Sequence, residues 1–359
     1  MKLLKNIAKG IGILLGAVVL AAVLLFGYLT IAEYRPDDTE DLAVEAGNQA
    51  PAAVSVGDSL RIVSWNVGYG ALGDNADFFM DGGSSVYTAD EARIRQNLAG
   101  ITAQLGDLAP QVIFLQETDV SSSRSRKINE KSYFEGELSH ASSAFAYNFK
   151  VKVVPYPVPP IGKVESGIMT LSDYGISSAE RITLPCPFSW PVRTANLKRC
   201  LLISRVPLEG SDRELVLINL HLEAYDSGEG KIAQTRMLLD VLQAENRKGN
   251  YIIAGGDFNQ TFSNVDLSAY PAQEGLWAPG IIDEADFAGS FGLYMDASHP
   301  SCRSLDRSYT GENKKNFQFY VIDGFIVSAN VQVDRLENLD LEFACTDHNP
   351  VVLDLTLTE

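Results

Sequence analysis

The chain has 359 residues, 46% of them hydrophobic, and this length allows one large domain or two ordinary ones with a full buried core. Its formal net charge is −17, from 29 basic and 46 acidic residues. Such acidity argues against tight, non-specific binding to duplex nucleic acid, which depends on many lysine and arginine contacts to phosphate. A nuclease with a locally basic cleft is not excluded.

An uncharged and almost wholly apolar segment, residues 10–32, lies near the N-terminus. It is long enough to cross the hydrocarbon core of a bilayer as one helix. Lysines precede it and a cluster of acidic residues follows it, so the positive-inside rule predicts that residues 1–9 are cytoplasmic and that the rest is exported. We therefore predict a single-pass protein of the cell membrane with an extracytoplasmic domain.

Two alternatives to this anchor are a cleaved signal peptide and a fully cytoplasmic enzyme. The apolar segment is longer than the usual core of a signal peptide, and no small-x-small cleavage site follows it. Residues 33–58, which are acidic and rich in alanine and proline, predict a flexible tether. The domain is then expected over residues 59–359.

The first strands predicted in this domain end on polar side chains. Residues 59–66 alternate like a strand and end on Asn66. Residues 88–91 have the form of a capping box, and the spacing of apolar residues after them predicts an amphipathic helix. The next apolar run, residues 111–117, ends on Glu117. A buried, ionised carboxylate is costly unless it is paired or metal-bound, so Glu117 is the strongest single candidate for a metal ligand.

Between residues 124 and 163 the charge balance becomes basic, and aromatic and proline residues are interleaved with the basic ones. One interpretation is an irregular surface connection. The other is a wall of the site that faces phosphate, because an acidic protein with an anionic substrate needs a local positive field.

The same polar pattern recurs in the second half of the chain. One apolar run ends on His221 and is followed by a helix predicted over residues 229–246. Residues 251–254 predict a buried strand, and the two glycines after it let the backbone turn tightly or approach a ligand. Asp257 and Asn259 follow, and their spacing places both side chains on the same side of an extended chain. Further strands are predicted at residues 166–172, 199–206, 214–221 and 351–357.

The last part of the chain adds three more candidates. A long irregular region is predicted from residue 260 to about 316, and a region of this length is often a functional loop. Residues 317–328 predict a strand with Asp323 in its middle, where a carboxylate needs a partner. Asp347 and His348 precede the final strand and give an acid and a base side by side.

The four cysteines, Cys186, Cys200, Cys302 and Cys345, match no metal-binding spacing. Export would permit disulfide bonds, and Cys186 with Cys200 is the easiest pairing because only one connection separates them. Buried free thiols are the alternative.

Taken in order, the motifs W-N, L-Q-E, N-L-H-L, G-G-D-F-N, I-D-G-F-I-V-S and T-D-H-N-P-V resemble those of the endonuclease/exonuclease/phosphatase superfamily. The resemblance covers residues 59 to 358. It implies an α/β fold with four layers, in which two mixed β-sheets pack face to face with helices outside.

The resemblance also implies a role for each candidate residue. The metal ligands would be Glu117, Asn66 and Asp347, and the metal would be Mg²⁺, with Mn²⁺ or Ca²⁺ as alternatives. The catalytic residues form a larger set: Asp257 and Asn259 would orient the attacking water and contact the phosphoryl oxygens, His348 would act at the scissile phosphate with Asp323 holding its tautomer, and His221 would contact phosphate.

The activity implied is hydrolysis of a phosphodiester, and the sequence leaves the substrate open between nucleic acid and a lipid-derived phosphodiester. Membrane anchoring and acidity favour the lipid class. A non-catalytic, membrane-anchored binding module on the same fold is the alternative function. No protein partner can be inferred.

Overall fold

The computed structural model describes residues 1–226, 228–310 and 317–359. Its α-helices are α1 (Lys2–Ile31), α2 (Glu91–Leu108), α3 (Glu130–Glu137) and α4 (Glu229–Asn246). Its strands in chain order are β1 (Thr39–Leu42), β2 (Val44–Glu45), β3 (Ser59–Asn66), β4 (Val112–Asp119), β5 (Ser142–Val154), β6 (Gly162–Ser172), β7 (Ser178–Thr183), β8 (Cys200–Pro207), β9 (Glu214–His221), β10 (Tyr251–Asp257), β11 (Gln260–Phe262), β12 (Gly280–Ile282), β13 (Phe291–Tyr294), β14 (Cys302–Arg303), β15 (Phe319–Tyr320), β16 (Asp323–Ser328), β17 (Val331–Asn338) and β18 (Val351–Leu357).

Two seven-stranded sheets form the centre of the molecule. The first has the order β17-β18-β3-β4-β6-β5-β2, and the second has the order β1-β7-β8-β9-β10-β16-β13. Each contains one parallel pair, β3 with β4 in the first sheet and β9 with β10 in the second. All other neighbours in these sheets are antiparallel, so both sheets are mixed.

The two sheets pack face to face over one apolar core. In this core the rings of Phe114 on β4 and Phe325 on β16 lie 6.4 Å apart. Helices α2 and α3 bury Leu98 and Phe134 against the outer face of the first sheet. Helix α4 buries Leu238 against the outer face of the second sheet. The layers are therefore helix, sheet, sheet and helix, and the predicted four-layer sandwich is confirmed.

Helix α1 is the one helix in the described part of the chain that is long and apolar enough to cross a membrane. It begins at Lys2, before the uncharged segment, because lysine is a good helix former and continues the helix toward the N-terminus. Leu29, near its C-terminal end, is its buried residue.

The prediction of a flexible tether over residues 33–58 is wrong for residues 39–45. Strand β1 pairs with β7 at the edge of the second sheet, and β2 pairs with β5 at the edge of the first. The acidic composition suggested disorder, but edge strands accept charged side chains because part of the strand faces water. Glu40, for example, lies opposite Arg181 in the register, with 3.8 Å between its carboxylate and the guanidinium.

Several other boundaries differ from the sequence prediction. The N-cap of α2 is Asp90, whose side chain accepts a hydrogen bond from the Arg93 backbone N–H, so the predicted capping box at Thr88 is two residues early. Residues 124–163, for which one interpretation was an irregular surface connection, contain α3 and the long strand β5. The strand predicted over residues 317–328 is interrupted, so Asp323 begins β16 rather than lying mid-strand. The irregular region contains short strands β11 to β14, and its residues 311–316 lie outside the described residues.

All four cysteines are free thiols. Cys200 and Cys302 are buried, whereas Cys186 is exposed, so the pairing of Cys186 with Cys200 is not formed. The alternative of buried free thiols holds for Cys200 and Cys302.

Candidate active site

The parallel strand pairs bring polar side chains from both sheets to one place. Asn66 ends β3 and Glu117 lies near the end of β4, while His221 and Asp257 end β9 and β10 in register with each other. These strand ends open into a cavity of about 810 Å³. Of the eight residues that the sequence singled out, six line this cavity: Glu117, His221, Asp257, Asn259, Asp347 and His348. Asn66 and Asp323 are buried and contact that lining.

Glu117 reaches the cavity because β4 is irregular at this position. The pairing of β4 with β6 shifts register between Leu115 and Thr118, and Glu117 has a φ of 56°. Leu115 packs under the outer helices and Gln116 points between the sheets. Regular alternation would send Glu117 outward with Leu115, so the bulge is what turns its carboxylate into the site.

Asn66 is the point at which the two sheets meet in the site. Its side-chain amide nitrogen lies 3.1 Å from Asp257 Oδ2, 3.4 Å from Glu117 Oε1 and 3.5 Å from His348 Nε2. Its carbonyl oxygen accepts a hydrogen bond of 3.0 Å from the Gly68 backbone N–H. The amide is thus held in one orientation with its donor side toward the carboxylates.

His348 is oriented by a buried carboxylate. Its Nδ1 lies 2.8 Å from Asp323 Oδ2, and its backbone oxygen accepts a hydrogen bond from Trp65 Nε1 at 2.9 Å. Burial by itself lowers the pKa of His348, but the Asp323 carboxylate outweighs burial and raises this pKa well above its ordinary value. His348 therefore carries a proton near neutral pH and presents Nε2 to the cavity.

His221 and Asp257 form a second contact, with 3.3 Å between Nε2 and Oδ2. Burial and the neighbouring Arg199 lower the pKa of His221 well below its ordinary value, so this ring is neutral. Burial and the Asp323 carboxylate raise the pKa of Asp257 above its ordinary value. The two histidines thus differ in charge because the Asp323 carboxylate outweighs burial at His348, whereas burial and Arg199 act together against a charge on His221.

Asn259 fixes the other side of Asp257. Its backbone N–H donates to Asp257 Oδ1 at 2.8 Å, and its side-chain amide donates to the Leu222 carbonyl at 2.9 Å. The φ of Asn259 is 50°, a left-handed conformation that asparagine tolerates well. The loop after β10 therefore closes around Asp257.

The two glycines before Asp257, Gly255 and Gly256, allow the strands to pack closely. They do not form a tight turn. A Cβ at Gly256, where φ is 149°, would lie 1.9 Å from the Leu220 carbonyl oxygen. A Cβ at Gly255 would lie 2.4 Å from the Phe325 ring. The glycines let β10 lie close to both neighbours, which brings Asp257 next to His221 and Asp323.

Glu117 and Asp347 present carboxylate oxygens that suit a hard divalent cation, whereas Asn66 turns its NH2 toward the site and its Oδ1 toward the Gly68 N–H, so its amide would have to turn over to ligate the same ion. Burial raises the pKa of Asp347, and the nearby Glu117 carboxylate contributes to the increase while His348 opposes it. A cation beside Asp347 and Glu117 would offset this repulsion, and oxygen ligands suit Mg²⁺, Mn²⁺ and Ca²⁺.

Two other groups of ligand atoms lie within 4.8 Å of one another: Cys302 with Asp347 and His348, and Asp257 with Asp323 and His348. Neither group suits a divalent cation as well as the carboxylates of Glu117 and Asp347. Burial raises the pKa of the Cys302 thiol to about 12, which keeps the sulfur protonated, and a metal binds the thiolate. The raised pKa of His348, which belongs to both groups, keeps both ring nitrogens protonated, and a protonated imidazole does not bind a metal.

Among the described residues three arginines line the cavity, and no sequence pattern pointed to two of them. Arg199 and Arg303 are almost fully buried, and in each the Nε–H has no hydrogen-bond partner among the described residues. Arg124 stacks on the Tyr69 ring at 3.7 Å and bonds Asp119 at 3.0 Å. All three place positive charge where an anionic substrate would enter.

The predicted basic wall is therefore only partly present. Arg124, from the basic stretch, lines the cavity. Lys131 pairs with Glu135 at 2.6 Å and Lys163 pairs with Glu165 at 2.9 Å, so these lysines neutralise acids of the same stretch.

A buried amide pair also joins the sheets beneath the site. Gln116 Nε2 donates to Asn219 Oδ1 at 2.8 Å, and the Asn219 amide donates to the carbonyls of Leu115 and Met169 at 3.1 and 2.8 Å. Both residues belong to the motifs that the sequence singled out, L-Q-E and N-L-H-L, yet only their neighbours were assigned a role. The pair holds Glu117 and His221 at a fixed separation across the two sheets.

Comparison with protein families gives a match over most of the chain. A family model described as the Endonuclease/Exonuclease/phosphatase family matches residues 63–348, a span that contains all eight predicted site residues. No match to the sequence was found among curated proteins.

Solved structures with the same fold share little sequence with this chain. An endonuclease/exonuclease/phosphatase from Beutenbergia cavernae DSM 12333 is similar with a TM-score of 0.56 and 20% identity, over 84% of this chain and 72% of that one. The human Nocturnin catalytic domain with bound sulfate anion gives a TM-score of 0.52 and 14% identity, over 88% and 97% of the two chains. D. rerio TDP2 complexed with single strand DNA product gives 0.51 and 18%, over 83% and 99%. At these identities the likeness shows the fold alone.

Proposed function

Because this chain belongs to the endonuclease/exonuclease/phosphatase family, we propose that it is a phosphodiester hydrolase that depends on a divalent cation. Family membership supports the hydrolysis of phosphoester bonds in general. The observation that carries the finer proposal is the position of the Asn66 amide, within 3.5 Å of groups from Glu117, Asp257 and His348. A purely structural asparagine would not need two carboxylates and an imidazole from separate strands around it.

The cation would be held by Glu117, Asn66 and Asp347, and Mg²⁺ is the ion we propose, with Mn²⁺ or Ca²⁺ as alternatives. When bound, a divalent cation screens the phosphate charge and stabilises the developing charge on the leaving oxygen. Arg124, Arg199 and Arg303 line the cavity and would add positive charge around the phosphate.

Asp257 is proposed to orient the attacking water and accept its proton. Its raised pKa makes it a better proton acceptor near neutral pH than an ordinary aspartate. The Asn259 backbone N–H and the Asn66 amide hold its two oxygens. Asn259 and His221, on either side of it, are proposed to contact the phosphoryl oxygens.

His348 is proposed to stabilise the phosphate and to donate a proton to the leaving oxygen from Nε2. Asp323 holds Nδ1 protonated and so fixes the tautomer. Asp257 would thus act on the attacking water and His348 on the leaving oxygen.

The chelation experiment tests this function directly. Detergent-solubilised full-length protein should hydrolyse bis(p-nitrophenyl) phosphate with added Mg²⁺, and excess EDTA should remove the activity because it withdraws the cation that would screen the phosphate charge. Adding Mg²⁺ in excess of the chelator should restore it. Turnover that persists in EDTA after dialysis would contradict the metal dependence. No turnover with any of Mg²⁺, Mn²⁺ or Ca²⁺ would support the alternative, a non-catalytic binding module.

We also propose that α1 anchors the protein in the cell membrane with its N-terminus in the cytoplasm. Lys2, Lys5 and Lys9 lie at one end of α1 and the acidic segment lies beyond the other. Protease added to intact cells should then remove a C-terminal epitope tag and leave an N-terminal tag protected. A C-terminal tag that is cleaved only after permeabilisation would contradict this orientation.

A further inference from the structure

The C-terminal end of α1 lies at the opening of the active-site cavity, here called the mouth, where Phe26, Leu29, Tyr156 and Val192 belong to the lining. The indole Nε1 of Trp190 donates a hydrogen bond of 3.0 Å to Thr30 Oγ1, and the ring of Trp190 lies 6.1 Å from that of Phe26. The apolar helix and the catalytic groups therefore share one cavity.

The junction after α1 is held in place by ion pairs. Glu33 follows the helix, and its side chain is only 3% exposed. Its carboxylate lies 3.1 Å from Lys198 Nζ and 3.4 Å from Arg193 Nε. Because these partners come from the same loop as Trp190, the end of α1 is fixed beside the mouth instead of being joined to it by a free linker.

Two loops beside the helix end expose large apolar side chains. Tyr156 and Val158 on one loop are 69% and 94% exposed, and Trp190 and Val192 on the other are 55% and 56% exposed. Tyr156 and Val192 also line the cavity. Single exposed apolar residues are ordinary, but these are grouped around one opening and are continuous with a membrane-crossing helix. Tryptophan and tyrosine also favour the interface between bilayer and water.

The described residues do not give the cavity the charge pattern of a nucleic-acid groove. Among them the cationic lining residues are Arg124, Arg199 and Arg303, and all three are mostly buried and already bonded to protein groups. A groove for a polynucleotide presents a succession of accessible cations and stacking rings along a path. Three arginines around one pocket instead suit a single phosphate group, and the rest of the lining is mainly aliphatic and aromatic.

We propose that the mouth of the cavity lies on the surface of the bilayer that holds α1, and that the substrate is a membrane lipid with a phosphodiester head group. This inference rests on the proposed hydrolase function and specifies its substrate class. The lipid phosphate would reach Asp257 and His348 while its apolar part stays between the two loops and α1. Water adds to phosphorus and gives a proton to Asp257, the P–O bond to the leaving alcohol breaks, and that alcohol oxygen takes the proton from His348.

The position of the mouth can be tested without any activity measurement. The chain contains three tryptophans: Trp65 is buried, Trp277 is partly buried inside the cavity with its Nε1 bonded to the Ala224 carbonyl, and Trp190 is the most exposed of the three, beside the end of α1. We expect the fluorescence of the full-length protein in phosphatidylcholine vesicles to be quenched by phosphatidylcholine brominated at carbons 6 and 7 of the acyl chain. The Trp190→Phe variant should lose this quenchable fraction. Equal quenching of the two proteins, or none in either, would overturn the membrane position of the mouth.

The substrate class is tested with vesicles of equimolar phosphatidylcholine, phosphatidylethanolamine, phosphatidylglycerol and sphingomyelin. With Mg²⁺ we expect ³¹P NMR to show conversion of phosphodiester to phosphomonoester. Val158→Asp, at a position outside the cavity lining, should slow this conversion about tenfold because a charged side chain replaces an apolar one at the lipid surface. It should leave hydrolysis of bis(p-nitrophenyl) phosphate unchanged. Ile281→Asp, at another exposed apolar position that does not line the cavity, is the matched control and should change neither activity.

These results distinguish the proposal of a lipid substrate from the proposal of a hydrolase function. Hydrolysis of bis(p-nitrophenyl) phosphate or plasmid DNA without any conversion of vesicle lipid would overturn the lipid substrate and leave the hydrolase function standing. Failure with every substrate, including bis(p-nitrophenyl) phosphate, would overturn the hydrolase function itself. An equal effect of Val158→Asp and Ile281→Asp on lipid conversion would contradict the role of the loops.

Discussion

Replacing Glu117 with glutamine should reduce Mg²⁺-dependent hydrolysis by about 10³-fold, because metal-ion stabilisation contributes several kcal/mol and each 1.36 kcal/mol changes a rate tenfold. Glutamine keeps the size of the side chain and its contact with the Asn66 amide, but it removes the negative charge beside Asp347. The loss should therefore appear as weaker binding of the cation as well as slower turnover. Isothermal titration calorimetry with Mg²⁺ and initial rates on bis(p-nitrophenyl) phosphate measure the two effects.

Glu137→Gln is the matched control, since Glu137 is exposed at the end of α3 and does not line the cavity. It should retain both cation affinity and turnover. If Glu117→Gln keeps the activity of the unmodified protein, then Glu117 does not hold a catalytic cation. If it loses activity with an unchanged Mg²⁺ affinity, then the cation is held elsewhere, and the groups around His348 become the candidates.

Replacing Asp323 with asparagine should reduce kcat/KM by about 10²–10⁴-fold, the usual contribution of a positioned acid or base. The asparagine side chain cannot stabilise an imidazolium, so the pKa of His348 should fall from its raised value. The proton that His348 donates is then lost at a lower pH. The alkaline limb of the rate profile should accordingly move to lower pH, whereas a merely structural loss would reduce the rate at every pH by the same factor.

The control for this variant is Asp334→Asn on the exposed face of β17, far from the cavity lining. Its profile of kcat/KM from pH 5 to pH 10 should overlay that of the unmodified protein. An Asp323→Asn profile with an unmoved alkaline limb would show that His348 does not act as the acid. Thermal unfolding of both variants should accompany the profiles, since Asp323 is buried and its replacement leaves His348 Nδ1 with a weaker partner.

Much of the candidate site could be predicted because polar residues at the ends of apolar runs are unusual. Asn66, His221 and Asp257 each end a strand, and the predicted strands over residues 59–66 and 214–221 have the observed bounds. A polar side chain there needs a partner, and the other strand ends supply it, as Asp257 does for Asn66.

Other features had no local signal. The tether prediction was wrong for residues 39–45 because pairing with β7 and β5 outweighs an acidic composition that favours disorder. Arg199 and Arg303 become part of the site only through the strands that happen to lie beside it. The bulge at Glu117 likewise depends on how β4 pairs with β6, which the apolar pattern of β4 does not contain.

The sequence by itself determined which side chains were available and which end of each strand carried them, because apolar periodicity and turn chemistry act over a few residues. It also determined that one helix near the N-terminus is apolar enough for a membrane. Only the tertiary structure decided that Asn66 would meet Asp257 across two sheets, that Asp323 would charge His348 while His221 stays neutral, and that the end of α1 would lie at the cavity mouth. These outcomes depend on contacts between residues far apart in the chain, and no local pattern encodes the distance between them.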